Sequence, residues 1–161
     1  MNIFMLDTIT SYCAEMHCDQ HVSKMIVEYA QMLSSAHRLL DGDEYADRYY
    51  LYKVTHKNHP STVWVRTNKK NYMWLNALYF YLRKEYTHRY KKVHASSKLG
   101  YGLSFFPKNI PDGEMTELPQ CMPEKYKGNK DPMSGYRNYY LGEKSSFAKW
   151  SKGRSAPEWW I

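Results

Sequence analysis

From Tyr12 to Leu40 the chain contains neither glycine nor proline. Val22, Met25, Ile26, Tyr29, Leu33, Ala36 and Leu40 recur in steps of three and four, which places them on one face of an α-helix. Asp7, Thr8, Thr10 and Ser11 are turn and capping residues ahead of it, and Asp41-Gly42-Asp43 supplies a stop. A helix this long, carrying one apolar stripe, is stable only when the stripe is buried against other elements. The segment therefore directs the chain towards an all-α fold: a single compact domain with a long first helix over 12–40, preceded by an N-terminal arm over 1–8.

The rest of the sequence fits that plan. Asn58 as a cap and Pro60 in a first turn predict a short helix reaching about Arg66. A second main helix is expected over 69–90, with Trp74, Leu75, Leu78, Leu82 and Tyr86 as its buried stripe. Residues 100–131 hold Pro107, Pro111, Pro119 and Pro123, which oppose regular helix, and read as a Pro-rich ordered loop wrapping the helices. A third main helix is expected over 135–152 through Tyr136, Tyr140, Phe147 and Trp150, with the tail Pro157-Glu158-Trp159-Trp160 packing back. With 161 residues the chain is long enough for one well-cored domain. Met1 to Asp7 lacks the basic and apolar regions of a secretory leader, and no apolar run approaches a membrane span, so a cytoplasmic protein without membrane attachment is expected. Three cysteines, Cys13, Cys18 and Cys121, form no disulfide framework and suit a reducing compartment.

Function is suggested by charge and aromaticity together. The formal net charge is +7, with sixteen tyrosines and five tryptophans. Cationic surface attracts phosphates, and aromatic rings stack on bases. Four groups of residues stand out. The row His17, His21, Lys24, Glu28, Gln31 and Ser35, at spacings of four, three, four, three and four, lies along one face of the first helix. It brings imidazoles, an amine, a carboxylate and an amide together, suited to proton transfer and phosphate contact; a solvated helix face would also be polar. His56, Lys57, Asn58 and His59 sit at a helix start where backbone N–H groups favour an anion, with Arg66 further along the same helix. A third group runs Arg83, Lys84, His88, Arg89, Tyr90, Lys91, Lys92 and His94, and a fourth comprises Tyr136, Arg137, Tyr139, Tyr140 and Lys144. His17 and His21 are spaced as two metal ligands would be, but no paired-cysteine or HExxH pattern accompanies them, so no metal is expected. P-loop, G-x-S-x-G and dinucleotide fingerprints are absent, and no cofactor is expected.

Asp19-Gln20-His21 followed seven residues later by Glu28, on a long helix close behind a short N-terminal arm, resembles the phage pyrimidine-dimer DNA glycosylases of the endonuclease V type. The resemblance covers the first thirty residues or so and the helix order after them. It implies a small, basic, all-helical protein whose arm tucks between helices and sets an α-amine beside the helix-borne glutamate. It also implies that the amine attacks the anomeric carbon of the sugar and forms a Schiff base, that Glu28 stabilises the cationic sugar and moves protons, and that His21 positions sugar or phosphate. An unperturbed α-amine titrates near 8, so a share of it is nucleophilic at neutral pH. The family exposes a threonine amine after methionine removal; here Asn2 follows Met1, its size hinders that removal, and the Met1 amine takes the position. Where the family carries arginines one before and three after its glutamate, this chain has Val27 and Gln31. The M-N-I-F start, C-D-x-H-V-x-K-M and T-H-x-N-H-P together also look like small phage proteins.

These readings lead to an enzyme that cleaves a glycosidic or phosphate-linked bond in DNA or a nucleotide, nearest in form to a DNA glycosylase/AP lyase. Glu28, His21, Lys24 and Met1 are the expected catalytic residues. Asn2, His17, His56, Lys57, Asn58, His59, Arg66, Arg89, Tyr136, Arg137 and Lys144 are the expected contacts to phosphate, sugar or base. The expected partner is a nucleic acid or a small nucleotide. Two alternatives stay open: a phage enzyme or sponge acting on a small cyclic-nucleotide immune signal, and a non-catalytic nucleic-acid-binding module.

Overall fold

A computed structural model describes residues 1–161. It contains helices and no strands. In chain order these are α1 (Thr10–Met16), α2 (Asp19–Asp41), α3 (Glu44–Arg48), α4 (Pro60–Thr67), α5 (Lys69–Tyr90), α6 (Gly100–Leu103) and α7 (Pro132–Tyr139), the last continuing into a π-helical turn over Tyr140–Lys144. The long helix α5 packs against α1 and α2, and α4 fills the angle between α2 and α5.

The single helix expected over 12–40 is broken. His17 and Cys18 are extended, and α1 and α2 lie on either side of them. The sequence carries no helix breaker there; the break is imposed by distant groups that take over its backbone polar atoms. The Arg89 guanidinium donates to the carbonyls of Glu15 and His17 at 2.8 and 2.7 Å, and the Cys18 N–H donates to the Tyr140 hydroxyl at 3.4 Å. Asp19 then opens α2, where a carboxylate is favoured by the helix dipole. Its Oδ2 accepts from the backbone and side chain of Ser151, and its Oδ1 pairs with Arg89 at 3.1 Å.

Arg89 is buried, and so are its two carboxylates, Asp19 and Glu85. Burial pushes the Glu85 carboxyl up, but its bonds to Arg154 and Arg89 outweigh that and hold it below the ordinary range. Each nitrogen of the Arg89 guanidinium meets a carboxylate or carbonyl oxygen, the condition under which a buried ion cluster is tolerated.

The core is rich in tyrosine. Tyr29, Tyr72, Tyr79, Tyr136 and Tyr140 are all at most 1% exposed. Each hydroxyl has a partner: the Tyr79 hydroxyl donates to Ser96 O at 2.6 Å, and that of Tyr72 donates to Leu103 O at 2.7 Å. Much of the aromatic content that suggested a base-stacking surface is therefore spent inside the molecule, where tyrosine supplies bulk and a satisfied polar tip.

Helix α4 is capped by His59, whose Nδ1 accepts from the Ser61 N–H, so the expected cap Asn58 lies outside on an exposed turn. α5 is capped by the Asn68 side chain. The helix expected over 135–152 starts earlier and stops sooner. Asp131 caps it through Ser134 with Pro132 in the first turn, and regular helix ends at Tyr139. Gly142 follows in the π turn, where an added Cβ would lie 2.2 Å from the Tyr126 ring. Trp150 lies beyond the helical turns and donates from its indole to Met16 O. Residues 104–131 run along the helices, tied down where Asn68 donates to Glu114 O and Asn71 pairs with Thr116.

Arg89→Met should destabilise the fold by about 3–5 kcal/mol, because it leaves Asp19 and Glu85 buried without their cation. Urea unfolding measures this; a loss under about 1 kcal/mol would contradict the closed ion cluster described above.

Candidate active site

The N-terminal arm is threaded into the core. Asn2, Ile3, Phe4, Met5 and Leu6 are all buried. Its backbone is held from three sides: the Phe4 N–H donates to the Tyr29 hydroxyl of α2, the Leu6 N–H reaches Cys13 Sγ of α1, and Leu6 O accepts from Arg137 Nε of α7. Asn2 is fixed through its side chain, which donates to Cys121 O at 2.9 Å and accepts from the Tyr136 hydroxyl at 2.7 Å.

This anchoring sets the position of Met1. Its side chain is only 2% exposed, with Sδ 3.6 Å from the Thr62 hydroxyl of α4, while the residue as a whole is half-buried. The exposure lies in its main chain. The α-nitrogen is 3.9 Å from Glu28 Oε2, and the other carboxylate oxygen is 3.7 Å from Lys24 Nζ. Lys24 is 61% exposed and Glu28 17%, so the ammonium reaches solvent while the carboxylate is largely covered. His59 lies close enough to feel both the amino group and Glu28. Its imidazole is pushed down by partial burial, then by the charges of the chain's amino group and His56, with Glu28 opposing. Because Nδ1 accepts the cap bond from Ser61, neutral His59 carries its proton on Nε2.

Two turns before Glu28 on the same helix lies His21, 4% exposed. Phe4 stacks on it at 4.6 Å, and its Nδ1 is 2.5 Å from the Tyr140 hydroxyl. Burial, helped by the charges of His17, Lys144 and Lys24, pushes its imidazole down to about 3. With Tyr140 accepting from the Cys18 N–H and donating to Nδ1, the neutral ring keeps its proton on Nε2. His21 is thus a fixed hydrogen-bond donor rather than an acid at neutral pH. Lys144 sits 4.6 Å from the Tyr139 ring centroid and 6.0 Å from that of Phe4, adding a cation on this side.

The structure brings Met1, Lys24, Glu28 and His59 together, and His21 with Lys144 next along α2. His56, Lys57 and Asn58 are exposed on the turn before α4, which is hung on α2 where the Thr55 N–H donates to Ser35 Oγ. Arg66 is half-buried and donates to Lys57 O.

Other expected contacts have structural work instead. His17 is not on α2 and is fully buried; its Nδ1–H donates to Cys13 O at 2.7 Å, and its Nε2 accepts from the Tyr29 hydroxyl at 2.8 Å. Arg89 is enclosed in its ion cluster, and Asn2 is spent on Tyr136 and Cys121. Tyr136 is wholly buried and its hydroxyl also reaches Pro119 O, so its ring offers no face to a base. Arg137 clamps the arm at Leu6 O, 3.6 Å from Asp7 and 5.5 Å from the Trp159 ring centroid. Sequence reasoning gave no site role to Phe4, Thr62 or Cys121; only the arm's apolar run pointed towards Phe4. No group of three or more His, Cys, Asp or Glu side chains converges to hold a metal ion, and no helix is long and apolar enough to cross a membrane.

A buried arm thus sets an α-amine beside a helix-borne glutamate in an all-α domain. The family model for pyrimidine dimer DNA glycosylases matches residues 1–98, more than half of the chain, and the chain belongs to that family. At family level this gives a DNA glycosylase-type function and a nucleic-acid substrate. No curated protein and no solved structure matches the chain.

The neutral histidines have a consequence for stability. His17 is pushed down to about 4 by burial, as is His37, and His21 to about 3. Above pH 6.5 each is neutral both folded and unfolded, and stability is unaffected. As pH falls from 6.5 towards 4, the unfolded chain takes up protons that the folded chain refuses, so stability falls, by on the order of 3 kcal/mol for His17 alone. Urea midpoints measured from pH 7.5 down to 4.5 should decline steadily; a flat profile would contradict neutral burial.

Proposed function

We propose that this protein is a DNA glycosylase/AP lyase of the endonuclease V type, in which the Met1 α-amine is the nucleophile and Glu28 its catalytic carboxylate. The observation that carries the reading is the 3.9 Å approach of the Met1 nitrogen to Glu28, at the end of an arm whose residues Asn2 to Leu6 are all buried.

In this reading a damaged nucleotide docks with its sugar C1′ against the amine. The amine nitrogen forms a bond to C1′ as the glycosidic bond breaks, and the bonding pair leaves with the base. Glu28 stabilises the positive charge that develops on the sugar and accepts the proton lost by the attacking nitrogen. Ring opening gives an iminium, and abstraction of a C2′ proton expels the 3′ phosphate. Lys24, Lys144 and the exposed His56-Lys57 turn supply cationic and hydrogen-bonding contacts to flanking phosphates, and His21 and His59 present Nε2–H donors. A second reading, hydrolysis or capture of a small nucleotide, draws on Val27 and Gln31: with no arginine beside the glutamate, fewer cations are available for a duplex.

Incubation with DNA carrying an abasic site, followed by borohydride, should trap a covalent adduct. Reductive methylation of the α-amine or one residue added ahead of Met1 should abolish it. Glu28→Gln should lower turnover by about 10²-fold or more, the scale of a lost acid/base group. A protein that binds DNA yet gives no adduct is not a lyase of this kind, and small-nucleotide hydrolysis would take its place.

A further inference from the structure

The basic run that begins at Arg83 is taken apart by the fold. Arg89 is buried in its ion cluster, the His88 ring is 2.9 Å from Gly153 O, and His94 caps the 3-10 turn over Ala95–Leu99. Arg83, Lys84, Lys91 and Lys92 have no carboxylate within 4.0 Å, and of these Arg83 and Lys84 line one cavity.

Arg83 is seated rather than trailing in solvent. Its guanidinium lies 5.2 Å from the Tyr79 ring centroid and against the backbone of Gly100, where a Cβ would come within 2.4 Å of Nη1. Gly100 has an ordinary helical φ of −56°, so the turn does not need a glycine there; the room it leaves is filled by the arginine. The Arg83 Nε is buried and has no hydrogen-bond partner. A buried donor on a permanent cation is costly unless something pairs with it. Beside it is a cavity of about 330 Å³ lined by Phe80, Arg83, Lys84, Thr87, Val93 and Ser97: two cations, two hydroxyls, two apolar walls and no acid. Lys84 Nζ stands 4.9 Å from the Phe80 ring centroid, at the rim.

We propose that Arg83, Lys84 and Ser97 form a seat for the phosphate of a nucleotide unit, separate from the Met1–Glu28 pair. The planar guanidinium offers paired N–H groups to phosphate oxygens, Lys84 adds charge, and Phe80 and Val93 give the attached sugar an apolar surface. The phosphate belongs either to a DNA strand or to a small phosphorylated molecule. This seat does not depend on amine chemistry.

The test follows the Arg83 Nε–H resonance by NMR in the full chain, titrated with inorganic phosphate and separately with a short undamaged duplex. Two variants accompany it. Arg83→Gln removes the cation, and Gly100→Ala keeps every charge but displaces the guanidinium. Thermal melts confirm that both fold. Phosphate should shift the wild-type resonance saturably, and Gly100→Ala should abolish that response. If a strand occupies the seat, both variants should bind the duplex about tenfold more weakly, with the salt slope reduced by about one. A shift with phosphate and none with duplex upholds the seat and assigns it to a small phosphorylated molecule. No shift in either titration, or an unchanged response in Gly100→Ala, overturns the proposal.

Discussion

The enclosed Arg89 guanidinium is the contact on which the architecture turns. One cation near the end of α5 joins Glu85 on its own helix, Asp19 at the head of α2, and the carbonyls left open where α1 stops. Without a partner for those carbonyls, a Gly- and Pro-free stretch would run on as a single helix. The kink sends α1 one way and α2 another, and the space created is where the N-terminal arm lies. Position of the amine, direction of α2 and burial of the arm are thus consequences of one electrostatic closure.

Inside that frame, polar groups in the core hold the arm and the His21 ring in place. Tyr29 and His17 secure Phe4, and Phe4 in turn stacks on His21. Tyr140 fixes the proton of His21 on one nitrogen. The His21 imidazole is held by a tyrosine at Nδ1 and a phenylalanine stacked on its face, an arrangement that fixes orientation at the expense of basicity.

The sequence was readable where local chemistry decides the outcome. Helix α5 follows from Asn68 as its cap and the spacing of Leu75, Leu78 and Leu82, and Glu28, Lys24 and His21 follow from their steps along one helix face. The break at His17 and Cys18 was not readable, because its causes lie 72 residues away at Arg89 and 122 away at Tyr140. The same limit explains Tyr136, Arg89 and Asn2. A basic or aromatic residue reads as a ligand contact until its burial is known, and burial is set by packing across the whole chain. His59 shows the intermediate case: its place at a helix start was legible, but its own role as the cap, in preference to Asn58, was decided by local backbone geometry.

The match to the family ends at residue 98, and every candidate for the chemistry lies before it. The residues that grip the Asn2 side chain and the Leu6 carbonyl lie after it: Cys121, Tyr136 and Arg137. During synthesis the amine and Glu28 therefore leave the ribosome long before the segment that secures their approach. The nascent chain already holds the partners of Phe4 N–H and Leu6 N–H in Tyr29 and Cys13, but the clamps on Asn2 and on Leu6 O arrive only with the last third of the chain.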